Sequence, residues 1–270
     1  MQITDNRPLL VACDFDHTLI DANSDLVLFD KLPYGQPLRQ QFSTLRQQGL
    51  GWTQTMQTQL SNLAKQEGYS KADVLVCLHN IKMDPLLIST LQELRSSKGP
   101  SLRLVILSDA NTIFIDEILK ANGLREGIFD RVYTNPARWT DEDGIAVEPY
   151  QSSSSPHDCQ RNCPANMCKS SILERARREL GLGENEGVRT VYVGDGSNDL
   201  CPSLGLSPSD LVLARSGYRL EKLIEKAKMD SDEGTEKVKA QVKIWATQRE
   251  VGDMLLQLPR ELSTDGLVQA

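Results

Sequence analysis

The chain has 270 residues, of which 39% are hydrophobic and 25% are charged, and its formal net charge is -7. This composition is typical of a globular protein with a buried core and excludes collagen-like and disordered chains. The excess of acidic over basic side chains argues against a broad surface for nucleic acid or anionic lipid. The length favours a core domain that carries a sizeable insertion.

The sequence has no uninterrupted apolar run approaching the roughly 20 residues that span a bilayer, and no basic segment followed by such a run at its start. We therefore expect a cytoplasmic protein that binds neither membranes nor nucleic acids. Six cysteines are scattered along the chain, which favours reduced thiols or a metal site over a disulfide framework. The oligomeric state stays open.

Three apolar runs are each followed directly by polar residues. They are Leu9–Cys13 before Asp14, Leu102–Leu107 before Ser108 and Asp109, and Val188–Val193 before Gly194 and Asp195. Continuous apolar runs are typical of strands buried on both faces of a parallel sheet. Because ligands bind at the carboxyl ends of such strands, we expect the three junctions to meet at one site. The pattern predicts a doubly wound, Rossmann-like α/β core.

The segment 22–95, between the first two predicted strands, has helical rather than strand-like spacing of its apolar residues. We expect it to form a helical cap inserted after the first strand. The core domain then comprises residues 1–21 and 96–270. Asp84 followed by Pro85 predicts the start of the helix that leads into the second strand.

Two glycines mark the ends of helices that follow in the core. Gly123 and Gly181 each come directly after a segment with helical spacing and suit the left-handed position beyond a helix. Residues 140–168 lie between these helices and are predicted to form one long surface excursion.

Asp14 and Asp16 stand two positions apart just beyond the first strand, so both carboxylates could face one ligand. An aspartate with an unperturbed pKa near ~3.9 is ionised at neutral pH and can act as a nucleophile or as a ligand of Mg²⁺. Taken alone, such a pair is also typical of solvated acids in a loop. The acids and glycines of the segment 194–199 could complete a metal site, or they could form a turn that caps the next helix.

Ser108 and Lys169 are candidate ligands for a phosphoryl group. The Ser108 hydroxyl follows the second strand, and Lys169 begins a predicted helix whose amino end favours anions. The alternatives are that Ser108 caps a helix and that Lys169 is an ordinary solvated charge.

Taken together, these residues resemble the four motifs of the haloacid dehalogenase (HAD) superfamily of phosphohydrolases, in the same order. The matching strings are Asp14-Phe15-Asp16-His17-Thr18-Leu19, Ser108-Asp109, Lys169, and Gly194-Asp195-Gly196-Ser197-Asn198-Asp199. The resemblance implies that Asp14 is the nucleophile, that Asp16 is the general acid and then the base, and that Ser108 and Lys169 bind phosphate. It also implies that Asp14, Asp16 and Asp195 hold Mg²⁺, with Asp199 ordering the groups around the metal.

Further strings resemble the phosphoethanolamine/phosphocholine phosphatase (PHOSPHO) family, which includes pyridoxal phosphate phosphatases. They are Asn23-Ser24-Asp25, Ser108-Asp109-Ala110-Asn111, His157-x-Cys159 with Cys163-Pro164-Ala165-Asn166-Met167-Cys168-Lys169, and Asp199-Leu200-Cys201-Pro202. This resemblance implies that Asp25 and Asp109 select the substrate, as acids would if the phosphoester carries a cationic amine. Helix capping is the alternative role for both.

His157, Cys159, Cys163 and Cys168 offer four ligands for a structural Zn²⁺ in the predicted excursion. Their spacing differs from that of zinc fingers. In the alternative, the histidine is exposed and the cysteines pack as small apolar side chains.

The sequence therefore predicts a Mg²⁺-dependent phosphomonoesterase that forms an aspartyl-phosphate. The expected substrate is a small metabolite such as phosphoethanolamine, phosphocholine or pyridoxal phosphate. Two alternatives remain. One is a capped HAD phosphatase that acts on phosphoserine or thiamine monophosphate, and the other is a non-catalytic phosphate-binding protein with the same fold.

Overall fold

The centre of the molecule is a six-stranded parallel sheet, seen in a computed structural model that describes residues 7–98, 102–124, 127–152, 154, 156–182, 187–232 and 234–261. The strands of the chain are β1 Leu9–Cys13, β2 Leu102–Asn111, β3 Arg131–Asn135, β4 Ala137–Trp139, β5 Ile145–Val147, β6 Arg189–Gly194, β7 Leu211–Arg215 and β8 Gln241–Trp245. The sheet has the order β3-β2-β1-β6-β7-β8, and β4 and β5 form a separate antiparallel hairpin.

The register of the three central strands aligns their carboxyl ends. Cys13 of β1 pairs with Ile106 of β2 on one side and with Val193 of β6 on the other. All five residues of β1 are buried, as expected for a strand covered on both faces. The residues that follow these pairs therefore emerge at one edge of the sheet, where the sequence predicts the site.

Helices cover both faces of the sheet. They are α1 Ser24–Lys31, α2 Gln36–Gln40, α3 Phe42–Gln47, α4 Trp52–Leu63, α5 Lys71–His79, α6 Pro85–Lys98, α7 Thr112–Ala121, α8 Lys169–Glu179, α9 Leu200–Leu204, α10 Arg219–Met229 and α11 Gln248–Glu261. The apolar sides of α6, α7 and α11 pack in the core on one face, and those of α8 and α10 pack in the core on the other. This is the doubly wound α/β fold that the sequence predicts.

The helices α1–α5 lie between β1 and α6 in the predicted cap. The hairpin braces this region from the core side: the Tyr69 hydroxyl donates to the Asp143 carbonyl at 2.9 Å, and the Val147 amide donates to Gln57 of α4. Helix α6 packs against α11 and β2 of the core. The division into a core, 1–21 and 96–270, and a cap, 22–95, stays a prediction, and residues 1–6, 99–101 and 262–270 lie outside the described part of the chain.

Two details of the predicted helices are confirmed. The Asp84 carboxylate accepts a hydrogen bond of 2.8 Å from the Leu86 amide and so caps α6, and Gly123 and Gly181 adopt φ angles of +73° and +69° beyond α7 and α8. The sequence pattern did not predict β3, β8 or the β4–β5 hairpin. The edge strand β8 is largely accessible, so it lacks the continuous apolar run that marks a central strand. In the described ranges, every helix is too short or too polar to cross a bilayer.

Candidate active site

Asp14 lies directly beyond β1 with only 5% of its surface exposed. Its amide donates to the Val193 carbonyl at 2.9 Å and so continues the pairing with β6. One carboxylate oxygen, Oδ1, accepts from the Phe15 amide at 2.7 Å, and the other lies 2.8 Å from Lys169 Nζ. Burial and the nearby Asp199 raise the pKa of Asp14, and Lys169 opposes that rise.

Lys169 is the first residue of α8, and its side chain is completely buried. Its ammonium lies 2.8 Å from Asp14 and 2.8 Å from Asp199 Oδ1. Burial alone would lower the pKa of Lys169, but attraction to the two carboxylates raises it above its ordinary value. Lys169 therefore stays charged and bridges the ends of β1 and β6.

Asp199 ends a short 3-10 turn, Ser197–Asp199, and accepts four hydrogen bonds. Oδ1 accepts from Lys169 and from the Tyr192 hydroxyl at 2.7 Å, and Oδ2 accepts from the amides of Asp195 at 3.0 Å and Gly196 at 2.8 Å. These bonds use about four lone-pair positions, which is the capacity of a carboxylate. Asp199 is thus placed to orient its neighbours.

Gly194 makes this arrangement possible. A Cβ atom at Gly194 would lie 2.5 Å from the carboxylate carbon of Asp199. Such a contact is shorter than van der Waals packing allows, so a larger residue would displace Asp199 from the strand end.

Asp195 follows β6 and accepts a hydrogen bond of 3.3 Å from the Thr18 hydroxyl. Burial and the neighbouring Asp199 raise the pKa of Asp195 to about 7. Carboxylate oxygens of Asp14, Asp195 and Asp199 lie within 4.8 Å of one another. The acceptor positions of Asp199 are already used by its hydrogen bonds, so the hard oxygen donors that fit Mg²⁺ here are those of Asp14 and Asp195, and the charge of the ion would offset their mutual repulsion.

Asp16 is brought to the same site by a tight turn after β1. The amides of Thr18, Leu19 and Ile20 converge on the Phe15 carbonyl, and His17 adopts a left-handed φ of 54°. Asp16 Oδ1 accepts from the Ser24 amide at 3.0 Å, and its side chain lies outside the three-carboxylate cluster. Burial raises the pKa of Asp16 to about 7, although its hydrogen bonds to Ser24 act in the opposite direction.

A cavity of about 660 Å³ opens above Asp14. This volume suits a small metabolite. Three parts of the chain line this cavity. The core contributes Asp14, Asp16, Asp109, Asp195 and residues 196–198, and the predicted cap contributes Asn23, Asp25, Arg46 and residues 51–54. The loop before α8 contributes Pro156 and residues 164–166. Substrate in this cavity would therefore touch three separate parts of the chain.

Asp25 and Trp52 form a pair on the cap side of the cavity. Asp25 is 3% exposed, and its Oδ2 accepts from the Trp52 indole at 2.6 Å. Burial and the nearby Asp16 raise the pKa of Asp25 well above its ordinary value. Asp25 follows the N-cap residue Asn23, which accepts from the Leu26 amide, so capping of α1 falls to Asn23.

Ser108 and Asp109 take different positions at the end of β2. Ser108 is completely buried, and its hydroxyl oxygen accepts from the Ala110 amide at 3.2 Å. Asp109 is partly accessible and lines the cavity together with Asn198. Asn135 supports this strand end by donating to the carbonyls of Asp109 at 2.6 Å and Ala110 at 2.9 Å.

The profile of a protein family described as "Putative Phosphatase" matches residues 9–259, which is nearly the whole described chain. The chain belongs to this phosphatase family. Two relatives cover most of it: a thiamine phosphate phosphatase-like protein of Arabidopsis thaliana, 33% identical over 93% of this chain and 95% of its own length, and the pyridoxal phosphate phosphatase PHOSPHO2 of Mus musculus, 32% identical over 90% and 95%. Inorganic pyrophosphatase 2 of Arabidopsis thaliana is 30% identical over 95% and 86%.

Solved structures agree with the phosphatase fold. A HAD family hydrolase of Salmonella enterica serovar Typhi superposes with a TM-score of 0.61 at 16% identity, covering 97% of this chain and 73% of its own. A phospho-aspartyl intermediate analogue of phosphoserine phosphatase superposes with a TM-score of 0.57 at 17% identity, covering 92% and 99%. The predicted HAD fold and the resemblance to the PHOSPHO family are confirmed.

The structure does not support the predicted zinc site at His157, Cys159, Cys163 and Cys168. His157 does not belong to the group of ligand atoms that lie within 4.8 Å of one another, and its Nε2 atom lies 3.0 Å from the Pro164 carbonyl oxygen. The three cysteines group instead with Cys201 of α9. The imidazole of His157 therefore faces the Pro164 carbonyl. The fourth sulfur is that of Cys201, which lies in α9, far from the other three cysteines in sequence.

Several side chains that hold the candidate site in place were not predicted from the sequence. Tyr192 and Thr18 bond to Asp199 and Asp195, and Trp52 bonds to Asp25. Each lies in a predicted strand, a motif or a cap helix. A residue of its type at such a position often only packs against its neighbours, so the type alone does not indicate a role in the site. Their function follows from contacts between segments that are far apart in sequence.

Proposed function

We propose that this phosphatase is a Mg²⁺-dependent phosphomonoesterase that forms an aspartyl-phosphate and hydrolyses a small phosphoester bearing a cationic amine. Phosphoethanolamine, phosphocholine and pyridoxal phosphate are the candidate substrates. The observation that carries the proposal is the 2.8 Å pairing of Lys169 with Asp14, which lines a cavity that the buried acid Asp25 also lines.

In the first step, an oxygen of Asp14 would attack the phosphorus atom as the bond from phosphorus to the ester oxygen breaks. Lys169 would offset the negative charge that otherwise repels the carboxylate from the phosphate. When bound by the carboxylates of Asp14 and Asp195, with Asp16 contributing its backbone oxygen, Mg²⁺ would supply further neutralisation of the phosphoryl oxygens. Asp16, in its protonated form, would donate its proton to the departing oxygen.

In the second step, water would attack the phosphorus atom of the aspartyl-phosphate. Asp16, now ionised, would accept the proton of the water, while the bond between Asp14 and phosphorus breaks to release inorganic phosphate. A pKa of about 7 suits Asp16 to both tasks, because each protonation state is well populated near neutral pH. Ser108, through its hydroxyl hydrogen, and Lys169 would bind phosphoryl oxygens.

The acids of the cavity wall support a cationic substrate. Asp25 is desolvated next to Asp16, so a positive amine would offset a repulsion that is already present. The indole of Trp52 offers a face for an ammonium group, and Asp109 adds a third acid at the cavity wall. The negative charge of these acids would repel pyrophosphate, which carries no positively charged group.

Phosphoserine is a second candidate because it combines an ammonium with a carboxylate. Arg46 of the cap lines the cavity and could pair with that carboxylate. Phosphocholine and phosphoethanolamine lack this group, so removal of Arg46 separates the two substrates.

The test is phosphate release by the purified protein, with and without Mg²⁺, from phosphoethanolamine, phosphocholine, pyridoxal phosphate, phosphoserine, thiamine monophosphate and pyrophosphate. We expect Mg²⁺-dependent release and the highest kcat/KM with an amine-bearing monoester. Preference for pyrophosphate, or activity that Mg²⁺ leaves unchanged, would contradict the proposal. Arg46→Ala should lower kcat/KM for phosphoserine alone if phosphoserine is the substrate.

A further inference from the structure

Four cysteines from three segments meet beside the active site. The Sγ atoms of Cys159, Cys163, Cys168 and Cys201 all lie within 4.8 Å of one another. Cys159 Sγ lies 3.7 Å from Cys163 Sγ and 3.6 Å from Cys201 Sγ, and Cys201 Sγ lies 4.0 Å from Cys168 Sγ. All four are free thiols.

The three separations of 3.6–4.0 Å match edges of a tetrahedron around one metal ion, and the remaining pairs lie within 4.8 Å. With a Zn–S distance of about 2.3 Å, two sulfurs of a tetrahedral site lie about 3.8 Å apart. A disulfide needs sulfurs at about 2.05 Å, so the observed distances describe unbonded thiols. The group is also too small to enclose an iron–sulfur cluster, because its sulfurs leave room for a single ion.

We propose that Cys159, Cys163, Cys168 and Cys201 bind one structural Zn²⁺. The site is separate from the phosphatase chemistry and does not depend on which substrate is hydrolysed. Four protein ligands complete the tetrahedron and leave no open position for water, which is the arrangement of structural zinc sites.

The charge around the cysteines fits this assignment. Four thiolates around Zn²⁺ carry a net charge of -2 by formal count, and a nearby cation stabilises such a centre. Arg161 Nη1 lies 3.7 Å from Cys201 Sγ, and its guanidinium is held by Glu236 at 2.6 and 2.7 Å. Arg161 lies between Cys159 and Cys163 in sequence, so the ligand loop supplies a hydrogen-bond donor to a ligand sulfur, while Glu236 balances the charge of the guanidinium.

The position of the ligands gives the metal a task in the active site. Cys168 directly precedes Lys169, and Cys201 follows Asp199 by two residues. A metal that joins these cysteines would tie α8 to α9 and hold the ion pair between Lys169 and Asp199, which spans 2.8 Å.

The same metal would shape the substrate cavity. Pro164, Ala165 and Asn166 line the cavity and lie between the ligands Cys163 and Cys168. Fixing both ends of this short segment would hold one wall of the cavity in place. Loss of the metal should therefore weaken substrate binding as well as stability.

The experiment measures metal content in the full-length protein, purified under reducing conditions without a polyhistidine tag or chelator. We expect inductively coupled plasma mass spectrometry to find about one zinc ion per chain. Cys201→Ser and Cys163→Ser should lower zinc affinity by at least about tenfold, while the matched controls Cys77→Ser and His157→Ala retain it. Cys77 lies in the cap, and His157 tests the ligand set that the sequence alone suggested.

Cobalt substitution gives a second readout that does not depend on activity. Co²⁺ in a tetrathiolate site produces strong visible bands and a thiolate-to-metal charge-transfer band, and we expect both in the wild type and in His157→Ala. Changed bands in His157→Ala would overturn the ligand set. If Cys201→Ser fails to fold, the wild-type zinc content and the spectrum of Cys159→Ser still decide the proposal.

Three results would overturn the zinc site: reduced protein that takes up no zinc when Zn²⁺ is supplied, iron in place of zinc, or a native disulfide between any two of the four cysteines. Phosphate release is measured on the same samples. Zinc without phosphatase activity would contradict the proposed function alone, and full activity in zinc-free protein would contradict the effect of the metal on the active site.

Discussion

The two sides of the cavity are built in different ways. On the core side, here called the floor, Lys169 at the start of α8 pairs with Asp14 beyond β1 and with Asp199 after β6, and both carboxylates accept from backbone amides. On the cap side, Asp25 and Trp52 come from helices α1 and α4 and are bonded to each other. Strand register fixes the positions of the first group, whereas the positions of Asp25 and Trp52 depend on how the cap packs. We infer that the floor sets the reaction and the cap side sets the substrate.

The strongest test of this division is Asp14→Asn on the floor. Losing the proposed nucleophile should lower kcat at least about 10³-fold with every substrate, because the chemical step itself is removed. Phosphate release and circular dichroism would be measured together. Asp116→Asn, an exposed change on α7, serves as the matched control and should keep full activity. Near-normal turnover by Asp14→Asn would refute the assigned nucleophile.

Lys169→Met changes the floor without removing an acid. It leaves Asp14 and Asp199 buried without their cation, which should cost about 3–5 kcal/mol in the free energy of unfolding. We expect kcat to fall by about 10²–10³-fold. Urea unfolding gives the free energy of unfolding, and steady-state kinetics give kcat. A variant as stable as the wild type would show that the ion pair contributes little to the floor. Lys120→Met, at an exposed pair on α7, is the control.

The pH dependence tests Asp16, which lies where the two sides meet. Its pKa is raised to about 7, so the protonated acid is present below this pH and is lost as pH rises through it. For alkyl phosphates, kcat/KM should therefore fall above about pH 7. An ester with a good leaving group, such as p-nitrophenyl phosphate, needs less proton donation and should show a weaker decline.

Asp16→Asn should sharpen this result. We expect a loss of about 10²-fold for alkyl phosphates and a smaller loss for p-nitrophenyl phosphate, because general acid catalysis matters most for poor leaving groups. Equal losses with both esters would place Asp16 outside proton transfer to the leaving group.

Asp25→Asn tests the cap side and should change selectivity more than chemistry. We expect kcat/KM for a cationic ester to fall about tenfold, equivalent to about 1.4 kcal/mol, with little change for an uncharged ester of similar size. Asp30→Asn, an exposed change on the same helix, is the control. Equal losses with both esters would mean that Asp25 supports the site without recognising charge.

The same comparison explains how far the sequence could predict the structure. Apolar runs before Asp14, Ser108 and Asp195 mark the central strands, so the fold and the floor are accessible to pattern and resemblance. The strand β8 escaped prediction because an edge strand is accessible and lacks such a run.

The contacts of the cap and the loops were harder to predict. The contacts between Trp52 and Asp25 and between Cys201 and Cys163 depend on how segments far apart in sequence pack together. The residue types alone do not indicate which of these segments lie close in space. His157 shows the same limit, because its proximity to the cysteines in sequence suggested a ligand where the structure has a hydrogen bond to a carbonyl. The roles of individual site residues, and the boundary of the cap, stay predictions.

The bracing of the cap by the β4–β5 hairpin bears on the rate of turnover. Any opening that separates Tyr69 from Asp143 and Gln57 from Val147 must break two hydrogen bonds, each contributing about 1 kcal/mol. We infer that the open form would then be a minor population and that escape of inorganic phosphate would wait for it. Tyr69→Phe should raise the open population about fivefold and speed product release by the same factor where release limits kcat, so the hairpin acts as a brake on the catalytic cycle.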